Sequence, residues 1–126
     1  MEIRRIQVEG PDDRHYGLSY ADWGAAGAVR TVVCVHGLTR NGRDFDHLAR
    51  VLAADRRVIC PDIAGRGLSD PLTDPEHYAL PTYIGHMIQL LSGLGLDEVD
   101  WVGTSMGGLI GMGVAAMEAS PIRKLV

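Results

Sequence analysis

Gly103-Thr104-Ser105-Met106-Gly107 sets a serine between two glycines where a strand pattern, Val99 to Val102, gives way to a helix pattern, Met106 to Ala119. A serine hydroxyl is a poor nucleophile at neutral pH. Acyl transfer needs it on rigid backbone, beside a base, with hydrogen-bond donors aimed at the developing oxyanion. A tight strand-turn-helix junction meets the first need. The serine is strained there, and the residues two before and two after it must be small because strand and helix crowd together. Gly103 and Gly107 have that spacing. Ser105 is therefore expected to project from the carboxyl edge of a sheet, above the positive end of the following helix.

Outward from this junction the chain alternates strand and helix. Thr31 to Val35 and Arg57 to Cys60 are short apolar runs rich in β-branched residues, as strands covered on both faces require. Between them Phe45, Leu48, Ala49, Leu52 and Ala53 recur at helical spacing, with Asn41 or Asp44 placed to accept the first free backbone N–H groups. Tyr83, Ile84, Met87, Leu90, Leu91 and Leu94 form a second stripe. Pro81 suits its first turn and Gly95 a left-handed C-terminal cap, while Gly85 inside it costs about 1 kcal/mol relative to alanine. Arg123 to Val126 opens another strand. Ahead of all these, Glu2 to Val8 and His15 to Asp22 alternate around Gly10-Pro11-Asp12-Asp13, the signature of an antiparallel hairpin. The expected fold class is α/β: a hairpin leading into a mostly parallel sheet with right-handed crossover helices.

Composition narrows the function. At 126 residues, 46% hydrophobic and 22% charged, the chain fits one globular domain spanning residues 1–126. A net charge of -4, with no basic cluster larger than Arg56-Arg57 or Arg123-Lys124, argues against nucleic-acid binding. Met1 to Gly10 lacks the apolar stretch of a signal peptide, so a cytoplasmic location is expected. Trp101 to Met117 is nearly uncharged but shorter than the roughly 20 residues a spanning helix needs, so no membrane association is expected. Cys34 and Cys60 lie inside apolar strand patterns and are expected to be free, buried thiols; no metal and no cofactor is called for.

Two further segments fit the serine junction. Val35-His36-Gly37-Leu38 ends a buried strand where a glycine lets a backbone N–H turn toward the nucleophile. Pro61-Asp62-Ile63-Ala64-Gly65-Arg66-Gly67-Leu68-Ser69-Asp70 is a turn-rich loop after the next strand. In this order, with Gly103 to Gly108, these segments closely resemble the N-terminal half of the α/β-hydrolase superfamily of the serine nucleophile-elbow type. The resemblance implies Ser105 as nucleophile and the backbone N–H groups of Leu38 and Met106 as the oxyanion hole. It implies supporting roles for His36, Gly37, Gly103, Gly107 and Asp62, the loop of Asp62, Arg66 and Ser69 bracing the end of the oxyanion strand. Families of this fold that use an aspartate nucleophile are disfavoured by the serine at position 105. The superfamily's acid and histidine follow the elbow, yet no histidine or aspartate follows Ser105 here, and Glu118 sits late on the helix. The chain is thus expected to be an incomplete domain lacking the C-terminal strands, inactive alone, and able to associate with a missing C-terminal half or with another copy.

The implied activity is hydrolysis of a small ester, thioester or lactone through an acyl-enzyme. C–C bond hydrolysis and acyl transfer on the same fold stay open, as does a non-catalytic fragment. A nucleotide-binding module would use Gly103 to Gly108 as a phosphate turn, but the spacing of that motif is not met. Of the five histidines, His36 is expected to be structural, His77 lies in a long loop, and His15, His47 and His86 read as hairpin or helix-surface residues.

Overall fold

The computed structural model describes residues 1–25 and 27–126. Its strands are β1 (Glu2–Glu9), β2 (His15–Trp23), β3 (Thr31–Val35), β4 (Arg57–Pro61), β5 (Val99–Gly103) and β6 (Ile122–Leu125). The α-helices are α1 (Asp46–Leu52), α2 (Leu80–Gly93) and α3 (Met106–Ala115). All six strands form one sheet in the order β1-β2-β4-β3-β5-β6. β1 and β2 pair antiparallel, with Val8 opposite Tyr16, β2 and β4 pair antiparallel, with Tyr20 opposite Pro61, and the pairs β4-β3, β3-β5 and β5-β6 are parallel.

The strand period explains why β3 and β4 are apolar throughout. Val33, Val35 and Ile59 face the larger core beneath α2 and α3, where they meet Leu18, Met87, Leu90, Trp101 and Ile110. Val32, Cys34, Val58 and Cys60 face the other side, against Phe45 and Ala49 of the α1 region. Both cysteines are free and buried, side by side on neighbouring strands one step beyond the paired Val33 and Ile59. Arg57 crosses to Asp22 with two hydrogen bonds of 3.1 and 2.8 Å, a buried fork that ties the hairpin to the parallel strands.

Helix ends follow local chemistry. Asn41 caps a 3-10 turn, Gly42–Phe45, by accepting from Arg43 N–H, so the α-helical stretch begins later than the apolar stripe suggests. Gly95, at φ 69°, closes α2 with the pair of bonds Leu96 N–H to Leu91 and Gly95 N–H to Ser92, the Schellman arrangement. α3 stops at Ala115 rather than Ala119. Its last turn tightens through Met117 N–H to Val114, Ala119 turns left-handed at φ 53°, and Pro121 bars further helix before β6.

His86 departs from the surface position expected for it. It is 1% exposed, its ring 6.5 Å from that of Tyr16. The reason is the width of the stripe: position 86 lies three residues after Tyr83 and four after Thr82, both buried on the same face of α2. Among the described residues no helix is long and apolar enough to cross a membrane.

Candidate active site

The carboxyl ends of three neighbouring strands, β4, β3 and β5, bring Asp62, the His36-Gly37-Leu38 turn and Ser105 side by side. The chain leaves β3 for β4 on one side and later returns to β5 on the other, so the site sits where the winding of the sheet reverses. Crevices of open α/β sheets form at such points.

Ser105 is exposed and takes φ 52°, ψ -113°, a left-handed backbone that a side-chain-bearing residue rarely adopts. Crowding enforces it. A Cβ on Gly107 would lie 1.9 Å from the Val35 carbonyl oxygen, and one on Gly103 would lie 2.5 Å from the backbone of Gly107. Strand and helix therefore approach as closely as glycine permits, and the turn between them is pushed outward. Thr104 N–H to the Val35 carbonyl (3.0 Å) and Trp101 Nε1–H to the Gly107 carbonyl (3.0 Å) fasten the turn at each end.

The turn after β3 lies against this elbow: a Cβ on Gly37 would stand 3.6 Å from that of Ser105. His36 is fully buried and holds the turn in a defined state. Its Nε2 accepts from Ile63 N–H at 3.0 Å and its Nδ1 donates to the Gly37 carbonyl at 2.7 Å. A backbone N–H can only donate and a carbonyl only accept, so both contacts are met by the neutral Nδ1–H tautomer. Burial lowers the basicity of His36, which favours that neutral form. The Gly37 carbonyl and the Leu38 N–H share one peptide plane, so gripping the carbonyl also orients the N–H. Met106 contributes the first N–H of α3, which has no acceptor within the helix.

Asp62 braces the loop below. Its Oδ1 accepts from Gly42 N–H (2.8 Å) and its Oδ2 from Leu68 N–H (3.0 Å), while its carbonyl accepts from Ser69 Oγ (2.6 Å). Ser69 Oγ in turn accepts from Ser19 N–H, linking the loop to β2.

An open cleft of about 390 Å³ lies over Ser105, lined by Leu38, Met106 and Leu109 and by Tyr78, Leu80 and Tyr83. That volume suits a small organic ligand. The tyrosine wall is absent from the sequence reading. Its signal is topological: the first turn of a helix that follows a parallel strand and its loop returns to the carboxyl edge, which places Tyr83, two residues after Pro81, beside the site. Among the described residues no histidine lines the cleft, and His36 has both ring nitrogens engaged.

This arrangement is that of an α/β-hydrolase, and the chain belongs to that family: residues 30–126 match the family described as the alpha/beta hydrolase fold. It is 52% identical over 121 residues to a 3-hydroxybutyrate-oligomer hydrolase of Cupriavidus necator, covering 96% of this chain and 41% of that protein. It is 34% identical over 103 residues to a 2-hydroxy-6-oxo-2,4-heptadienoate hydrolase of Pseudomonas putida, covering 79% of this chain and 37% of that protein. A crystal structure of an alpha/beta hydrolase from Novosphingobium aromaticivorans superposes with a TM-score of 0.80 at 36% identity, over 96% of this chain and 42% of that one. The chain thus spans about two fifths of the length of these relatives.

Proposed function

We propose that this chain carries the nucleophile half of a serine hydrolase that cleaves short-chain esters, with oligomers of a 3-hydroxy acid as the substrate class to examine first. The observation that carries the reading is Ser105, exposed at φ 52° on a turn crowded outward by Gly103 and Gly107 and facing an apolar cleft. The name of the Cupriavidus necator relative supports the choice of ester.

Ser105 Oγ attacks the ester carbonyl carbon and passes its proton to a base supplied from outside residues 1–126. The oxyanion lies against the N–H groups of Leu38 and Met106. The C–O bond then breaks, the alcohol leaves with the proton, and an acyl-serine remains. Water, deprotonated by the same base, hydrolyses it to the free acid. Apolar walls formed by Leu38, Leu80 and Leu109 suit a short aliphatic acyl group.

In the full-length protein carrying this chain, Ser105→Ala should lower kcat on 3-hydroxybutyrate dimer or trimer by about four to six powers of ten and abolish labelling by a fluorophosphonate. Unchanged turnover in that variant would refute the assignment. C–C bond hydrolysis is the second reading, favoured by the Pseudomonas putida relative. Turnover of a vinylogous 1,5-diketone acid in preference to esters would select it.

A further inference from the structure

Arg66, in the loop after β4, reaches back across the carboxyl edge of the sheet. Its Nε donates to the Leu38 carbonyl, and its Nη1 donates to the Ala64 carbonyl and to the Tyr83 hydroxyl, each at 3.0 Å. The guanidinium also stands 5.2 Å from the Tyr83 ring centroid and 5.8 Å from that of Tyr78, within reach of cation–π attraction. Leu38, Tyr78 and Tyr83 all bound the cleft that holds Ser105. One planar group therefore touches both the Leu38 turn and the tyrosines of the cleft.

We infer that Arg66 is a positioning residue for the Ser105 site, fixing the Leu38 turn and coupling it to the tyrosine wall against which an acyl group rests. The inference rests on the reading of Ser105 as nucleophile and Leu38 as oxyanion donor. The Gly37 carbonyl belongs to the peptide group before Leu38 and the Leu38 carbonyl to the one after. His36 holds the first and Arg66 the second. With both planes held, the two backbone torsions of Leu38 are set, and the direction of its N–H with them. Packing alone does little for this turn, because Leu38 is 59% exposed. The hydrogen bonds therefore carry its geometry. Lysine is a poor substitute, since its three donors radiate from one nitrogen, whereas the planar guanidinium reaches Leu38 from Nε and Ala64 and Tyr83 from Nη1.

An oxyanion donor acts on the tetrahedral transition state more than on bound ester, so its misplacement falls on kcat and leaves KM nearly unchanged. In the full-length protein, Arg66→Met should lower kcat on p-nitrophenyl butyrate by about 10- to 100-fold. KM should stay within about threefold, and affinity for a trifluoromethyl ketone, which mimics the oxyanion, should fall in parallel with kcat. Arg66→Lys should recover little of the loss. Tyr83→Phe, which removes one anchor of the guanidinium and spares the rest, should cost a smaller part of kcat, again without a change in KM. It carries the test if Arg66→Met fails to fold. A folded Arg66→Met protein with wild-type kcat, a rise in KM alone, full rescue by lysine, or an unaltered kcat in Tyr83→Phe where that variant carries the test would overturn the inference. Ser105→Ala run alongside separates the two readings. Full activity there removes the nucleophile assignment, whereas a dead Ser105→Ala beside an unslowed Arg66→Met removes only the role of Arg66.

Discussion

At position 36 one imidazole meets one backbone donor and one backbone acceptor, and protonation would set its Nε2 against the Ile63 N–H it now accepts from. Burial holds the basicity of both His36 and His86 below the ordinary value for histidine, near 6.5. The unfolded chain therefore binds more protons than the folded one below that pH, and stability falls as the medium is acidified through the interval beneath 6.5. Thermal melts of the full-length protein should show Tm dropping from pH 7 toward pH 5, with a shallower slope in His86→Leu; a flat or inverted profile would contradict the burial argument. Sequence spacing marked Gly103, Ser105 and Gly107 because close approach leaves small residues as its trace. It could not show the tautomer of His36, whose partner Ile63 arrives from the loop after β4. Nor did it separate His86 from the surface, because an apolar stripe does not announce that it is wide enough to take in a neighbouring imidazole.

Trp101 illustrates how an element positions a site it does not enter. Fully buried on β5, it donates to the Gly107 carbonyl in the first turn of α3, so strand and helix are joined across the elbow by a side chain as well as by the chain itself. Trp101→Phe keeps an aromatic ring but loses that bond and part of the volume. It should cost about 1–3 kcal/mol in denaturant-monitored stability and slow fluorophosphonate labelling of Ser105. Stability equal to wild type would show that the bond contributes nothing. The strands were legible to within a residue or two because β-branched apolar runs and turn residues bound them. Helix ends were less so: the end of α3 is set by Ala119 and Pro121, beyond the apolar pattern, and the start of α1 by a 3-10 turn that Asn41 caps. The tyrosine wall of the cleft escaped because Tyr83 reads as core until the loop after β4 brings Arg66 beside it.

Across the whole molecule the sheet has two edges of different character. β1 is partly covered at Glu9, whose N–H and carbonyl both pair with the Gln89 side chain of α2. β6 ends the sheet on the other side, in contact with α3; Leu109 and Met112 of that helix, Met117 after it and Val126, which is 80% exposed, all show apolar surface. An open strand edge beside apolar helix surface invites pairing. We propose that further chain covers it in the whole protein, and that the base and acid for Ser105 arrive with it. Residues 1–126 produced alone should hydrolyse esters at least about 10,000-fold more slowly than the full-length protein and should elute as associated species in size-exclusion chromatography. A stable monomer, or full turnover lost on Ser105→Ala, would overturn this. The paired thiols of β3 and β4 carry a practical consequence. Their proximity and burial push the Cys60 thiol far above its usual range, so in the native state it offers almost no thiolate to a maleimide. Alkylation must wait for the centre of the sheet to part, which makes these two sulfur atoms a native stopwatch for the deepest opening of the molecule.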